Sequence, residues 1–121
     1  MKLIALILIA LVAIEHFYIL WIEMFAWTTK GRATFKSFPS ELFEPTKTLA
    51  ANQGLYNGFL ASGLIWALLI GDPLWSKNVA IFFLSCVVIA GLYGGLTAGK
   101  AIIIKQMLPA AIALGAVIAW M

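Results

Sequence analysis

Apolar residues fill this chain in four blocks, separated by short polar breaks. The blocks predict helices over about 3–27, 46–70, 78–97 and 102–121. At about 1.5 Å of rise per residue, each covers roughly 30 Å, the thickness of a bilayer's hydrocarbon core. Pro45, preceded by Glu44, is a start signal for the second helix. The Gly71-Asp72-Pro73 turn is read as its stop. Only the first loop, 28–45, is long. It mixes Lys30, Arg32 and Lys36 with Phe35, Phe38, Leu42 and Phe43, which suits a segment lying in the headgroup layer better than a binding lid.

The informative positions are the polar ones inside the blocks. Glu15, His16 and Glu23 interrupt the first, where a charge at bilayer depth costs roughly 2.5–3.5 kcal/mol. Helical geometry places His16 within about 20° of Glu23 and keeps Glu15 on the same half of the helix. In the second block, Gln53, Tyr56 and Asn57 form one face by their spacing, with Asn52 beside them. Depths match as well: Glu23 and the pair Asn52 and Gln53 lie about 7–9 Å from the loop-1 end, His16 and Asn57 about 15–18 Å. Lys105 and Gln106 open the fourth helix near the level of Glu23. The expectation is an inward polar seam between helices 1 and 2, within reach of Lys105. Glu15 beside His16 forms a pair able to exchange a proton, a property that proton-coupled transport or acid–base chemistry uses.

Glycines mark close approach. Gly91, Gly95 and Gly99 form a small-residue ladder on helix 3, and Gly54 with Gly58 a second set on helix 2, about 130° from its polar stripe. The plain expectation is that helices 2 and 3 pack through these sets, with homodimerisation through helix 3 as the alternative. Pro109 removes a backbone donor and predicts a kink near the start of helix 4.

Composition turns these blocks into a membrane assignment. Hydrophobic residues make up 64% and charged residues 11% of the 121 positions, too little polar surface for a soluble domain. The fold class expected is all-α: one integral-membrane domain over 1–121, a four-helix bundle of up-down topology. The apolar run at the N-terminus continues past the length of a signal peptide and is read as a retained span. The net charge of +3 concentrates in loops 1 and 3, through Lys30, Arg32, Lys36, Lys47, Lys100 and Lys105, against Lys2 and Lys77 on the other side. The positive-inside rule then sets both loops in the cytoplasm and both termini outside a bacterial inner (cell) membrane. No basic run interleaved with aromatics suits nucleic acid, so the partner expected is the bilayer. A single cysteine, Cys86, excludes an intramolecular disulfide, and nothing has metal-ligand spacing; neither cofactor nor catalytic residue is assigned.

The run Glu15-His16-Phe17-Tyr18-Ile19-Leu20-Trp21-Ile22-Glu23-Met24-Phe25-Ala26-Trp27, followed by Asn52-Gln53-Gly54-Leu55-Tyr56-Asn57-Gly58-Phe59-Leu60, resembles a known family. It is similar to the small bacterial membrane proteins grouped as domain of unknown function 1304, over essentially the whole chain. That resemblance implies a four-helix inner-membrane protein and no assigned activity. In layout only, the chain is also similar to the small multidrug transporters, which carry one membrane-embedded glutamate in their first helix; Glu15 stands in a comparable place, while His16 and Glu23 are additions.

Three functions compete at this stage. The leading expectation is that the seam binds, and moves with proton coupling, a small polar or cationic ligand. Glu15, His16 and Glu23 would be its titratable sites, with Asn52, Gln53, Tyr56, Asn57 and Lys105 lining it. So short a chain would need a homo-oligomer to build a path. The alternatives are a structural or accessory protein whose charges form an internal lock, and an intramembrane enzyme on a lipid-like substrate. A packed or an open seam distinguishes them.

Overall fold

The computed structural model describes residues 1–121, built from helices without a strand. Helix α1 spans Lys2–Phe25, α2 Lys30–Thr34, α3 Lys47–Leu69 and α4 Pro73–Thr97, with a 3-10 turn at Ser40–Leu42. The last stretch, Lys100–Trp120, joins a short turn α5 (Lys100–Ile102), a π-helical turn (Ile103–Met107) and α6 (Leu108–Trp120). Three stretches, Lys2–Phe25, Pro73–Thr97 and Lys100–Trp120, are long and apolar enough to cross a membrane. Helix α3 is comparably long but carries Lys47, Asn52, Gln53 and Asn57 in its first half.

The element ends differ from the sequence expectation for definable reasons. The first helix closes at Phe25, because the amides of Thr29 and Gly31 both turn back onto the Ala26 carbonyl (3.2 and 2.8 Å). Helix α4 begins at Pro73 rather than Asn78. Asp72 accepts a hydrogen bond from the Trp75 amide at 2.9 Å, and Pro73 occupies the first helical position, where its missing donor is harmless. The residues read as a stop for one helix thus also start the next. Near Pro109 the chain widens into the π turn, in which the Leu108 amide donates to the Ile103 carbonyl. Since Pro109 has no N–H, the carbonyl four residues before it lacks its α-helical donor, and a wider turn accommodates the gap.

The chain divides into two compact units, 1–14 with 60–121, and 15–59. The first has an alanine-rich core drawn from four helical segments. Ala5, Ile9 and Ala13 meet Leu64 and Ala67, Ala80, Leu84 and Val87, and Ala110, Ala113 and Val117, all fully buried. Such small side chains bring backbones close, and dispersion rather than large apolar volume then holds the contact. The tie between α3 and α4 is specific: the buried Ser76 hydroxyl donates to the Ala67 carbonyl at 2.7 Å, and Gly63 lies where any side chain would strike the Phe83 ring.

The helix 3 glycine ladder has a different partner from the one expected. A Cβ at Gly91 would lie 2.8 Å from the Met107 nitrogen, Gly95 sits directly against Ile103, and Gly94 faces Ile102 at 3.2 Å; Gly99 has nothing within 4 Å. The ladder therefore seats the turn of the last helix, not α3. Large apolar side chains such as Leu3, Ile7, Leu74, Phe82, Ile89, Leu96, Ile104 and Ile112 are left on the outside.

Candidate functional site

Residues 15–59 form a unit in which the second half of α1 and the first half of α3 meet beneath a folded loop. The loop is anchored by aromatics. Phe43 is fully buried, and the Trp27 ring lies 4.9 Å from it, with Phe35 and Phe38 each 5.6 Å from Trp27. Phe38 meets Phe43 edge-on at 5.0 Å, the geometry that ring quadrupoles favour. The Trp27 indole donates to the Thr46 hydroxyl at 3.1 Å, and that hydroxyl donates to the Leu42 carbonyl at 2.6 Å. Arg32 closes the loop. Its Nε donates to the Thr28 carbonyl at 2.7 Å, its Nη1 to the Ser40 carbonyl and hydroxyl at 2.8 and 3.0 Å, and its guanidinium lies 5.0 Å from the Phe43 ring centre. Sequence reasoning gave this segment to the lipid headgroups and missed its internal core. The signal was present in Phe35, Phe38 and Phe43 set around one arginine.

Below the loop, α1 and α3 meet on a glycine face. A Cβ at Gly54 would lie 2.8 Å from Met24 Cγ, 3.0 Å from Glu23 Cβ and 3.1 Å from the Leu20 carbonyl oxygen, and Gly58 sits directly against the Leu20 side chain. Gly54 and Gly58 thus pack on α1, correcting the expectation that they face α4. The consequence for the polar stripe is direct. At 100° per residue, Asn57 is the stripe residue nearest in angle to the two glycines, while Gln53, Asn52 and Tyr56 turn progressively away. Asn57 is half-buried and donates from Nδ2 to Glu23 Oε1 at 2.6 Å and to the Gln53 carbonyl at 3.2 Å. Asn52, Gln53 and Tyr56 are exposed instead of lining a seam. Asn52 donates to the Thr48 carbonyl of its own helix at 3.1 Å, and Tyr56 packs edge-on against Phe59 at 5.8 Å.

The remaining candidates divide by burial. His16 is fully buried and engaged, and no buried side-chain nitrogen or oxygen lacks a hydrogen-bond partner. Glu15 is partly exposed. In the other unit, Lys105 lies exposed on the π turn, Cys86 is half-buried, and a cavity of about 370 Å³ is lined by Ile4, Leu8, Ala111, Ile112, Gly115 and neighbouring residues, without a titratable group. No three His, Cys, Asp or Glu side chains gather as a metal site would require. The sequence-predicted residues that the structure joins are therefore Glu23, Asn57, Gly54 and Gly58.

A family model described as "Protein of unknown function (DUF1304)" matches residues 10–118. The chain is also 35% identical over 108 residues to the uncharacterized protein YpaA of Lactococcus lactis subsp. lactis (strain IL1403), covering 88% of this chain and 89% of that one. No solved structure matches.

Proposed function

The chain belongs to the DUF1304 family, whose function is unassigned, and from that premise we propose a non-catalytic, multi-pass membrane protein whose Glu23–Asn57 pair is an internal polar lock. In this reading α1, α3, α4 and the Lys100–Trp120 stretch cross the bacterial cell membrane in up-down order. The outward-facing leucines, isoleucines and phenylalanines support this, since an apolar exterior suits hydrocarbon and would aggregate in water. The lock joins α1 to α3 where those helices carry their most polar residues. Its carrying observation is the 2.6 Å hydrogen bond from Asn57 to Glu23, sealed by Gly54 and Gly58 against Leu20 and Met24. Close backbone packing at Gly54 and Gly58 supports a fixed contact between the two helices over a passage for a ligand.

Ligand binding with proton coupling is the second reading, favoured by one observation: Glu15 is partly exposed near the middle of α1. Two measurements separate the readings. In detergent, Asn57→Ala should lower stability by about 1–3 kcal/mol, the cost of stranding a polar partner. Glu23→Gln should cost less, since its amide oxygen still accepts from Asn57. In proteoliposomes with a pH-sensitive dye inside, ammonium and tetraphenylphosphonium gradients should move no protons through the wild-type chain. Proton movement that Glu15→Gln abolishes would establish the second reading in place of the first.

A further inference from the structure

The glycine ladder of α4 is the obvious place for a second copy to dock, but it is already filled. Gly91 and Gly95 are covered by Met107 and Ile103 of the same chain. The exterior of α1 offers a different surface. Glu15 and Tyr18 sit one turn apart on it, and Glu15 lies about 20 Å from the helix start, near mid-length. Tyr18 is 46% exposed and stacks on Trp21 at 5.9 Å, which engages its ring and leaves the hydroxyl outside that contact. No hydrogen bond within the chain engages either the Glu15 carboxyl or the Tyr18 hydroxyl. From Tyr18, Trp21 (46% exposed) and Phe25 (74%) carry the face on toward the helix end at steps of three and then four residues, spacings by which one helix meets another.

We propose that this face of α1 binds a second copy of the chain, the Glu15 carboxyl of each pairing with the Tyr18 hydroxyl of the other across a twofold axis. A twofold interface must be self-complementary, and this patch holds an acceptor and a donor three residues apart. A helical tyrosine side chain leans toward the helix N-terminus, which carries its hydroxyl toward the level of residue 15. Hydrocarbon offers a carboxyl no partner at mid-depth, where polar side chains are expensive and drive helix association. The acyl chains that would otherwise cover this face supply no donor.

The inference rests on the bilayer-spanning reading, and the test keeps the two apart. Retention of the chain in membranes after an alkaline carbonate wash reports on spanning alone. Association is then read by energy transfer between donor- and acceptor-labelled full-length chains diluted into phosphatidylcholine vesicles. Wild type should associate, while Glu15→Leu and Tyr18→Phe should each weaken association by about tenfold. Mixing the two variants should restore part of the signal, because Glu15 of the Tyr18→Phe chain can still meet Tyr18 of the Glu15→Leu chain. That rescue cannot come from a misfolded variant. Wild-type chains that stay monomeric in the vesicles, variants that associate as wild type does, or a mixture with no recovery would overturn the proposal.

Discussion

A methyl group added at Gly91 would lie 2.8 Å from the Met107 nitrogen and 2.9 Å from its Cα. Both are backbone atoms, so no rotamer change relieves the clash. Gly91→Ala should therefore lower stability by about 1–3 kcal/mol, a typical cost of overpacking. Gly115 is the internal control, with nothing within 4 Å of its added Cβ and a position inside α6. There alanine should raise stability by about 0.5–1 kcal/mol through helix propensity alone. Thermal unfolding of both variants in one detergent reads the difference; equal shifts would mean that the ladder does not bear on the Met107 turn. The same scale explains the polar seam. Periodicity and depth matched the polar residues of helix 1 to those of helix 2 on the condition that the two helices are neighbours, and of the matched residues the structure joins Glu23 to Asn57. The face was not legible, because a polar stripe and a glycine stripe on one helix compete for the same neighbour. Close packing at Gly54 and Gly58 takes α1, which leaves only Asn57 near enough to reach Glu23.

At the scale of elements, the loop between α1 and α3 behaves as a small fold of its own, and Arg32 is its clasp. One side chain joins Thr28 to Ser40 through two different nitrogens while its plane lies near Phe43. Lysine has one donor centre and no planar fork, so it cannot make both connections. Arg32→Ala and Arg32→Lys should both loosen the loop, and trypsin should cut after Lys30 and Lys36 several times faster than in wild type, with the long helices unaffected by circular dichroism. Unchanged cutting would show that the aromatic cluster holds the loop without its clasp. This element also marks a limit of sequence reading. The long helices were legible because hydrophobic runs of that length have few other solutions. The loop's aromatics satisfy two descriptions equally, membrane interface and private core, and only their contacts with Trp27 distinguish them. The ends of α4 and the π turn before Pro109 depended on one capping side chain and one missing amide, details that hydrophobic periodicity does not register.

For the whole molecule, the proposed orientation rests on charge. Lys30, Arg32, Lys36 and Lys47 flank the loop between α1 and α3, and Lys100 and Lys105 flank the start of the last helical stretch. The turn between α3 and α4 has only Lys77 nearby, and that side chain reaches along α6 to donate to the Ile118 carbonyl at 3.4 Å. Such an imbalance retains the basic loops on the cytoplasmic side when α1, α3, α4 and the last stretch all cross. In a Cys86→Ala background, single cysteines replacing Lys36 and Lys100 should react with a membrane-impermeant maleimide only after the cells are opened. A cysteine at Gly71, where an added side chain meets nothing, should react in intact cells. The opposite pattern would invert the orientation while keeping the number of crossings. Labelling of positions 36 and 71 from one side and of position 100 from the other would contradict the four-crossing arrangement. It would also remove α3 from the bilayer, since α3 is the stretch whose polar first half departs most from a membrane-spanning composition. The Glu23–Asn57 bond would then join a spanning helix to a surface one, and the cost of breaking it would fall toward that of a hydrogen bond exposed to water.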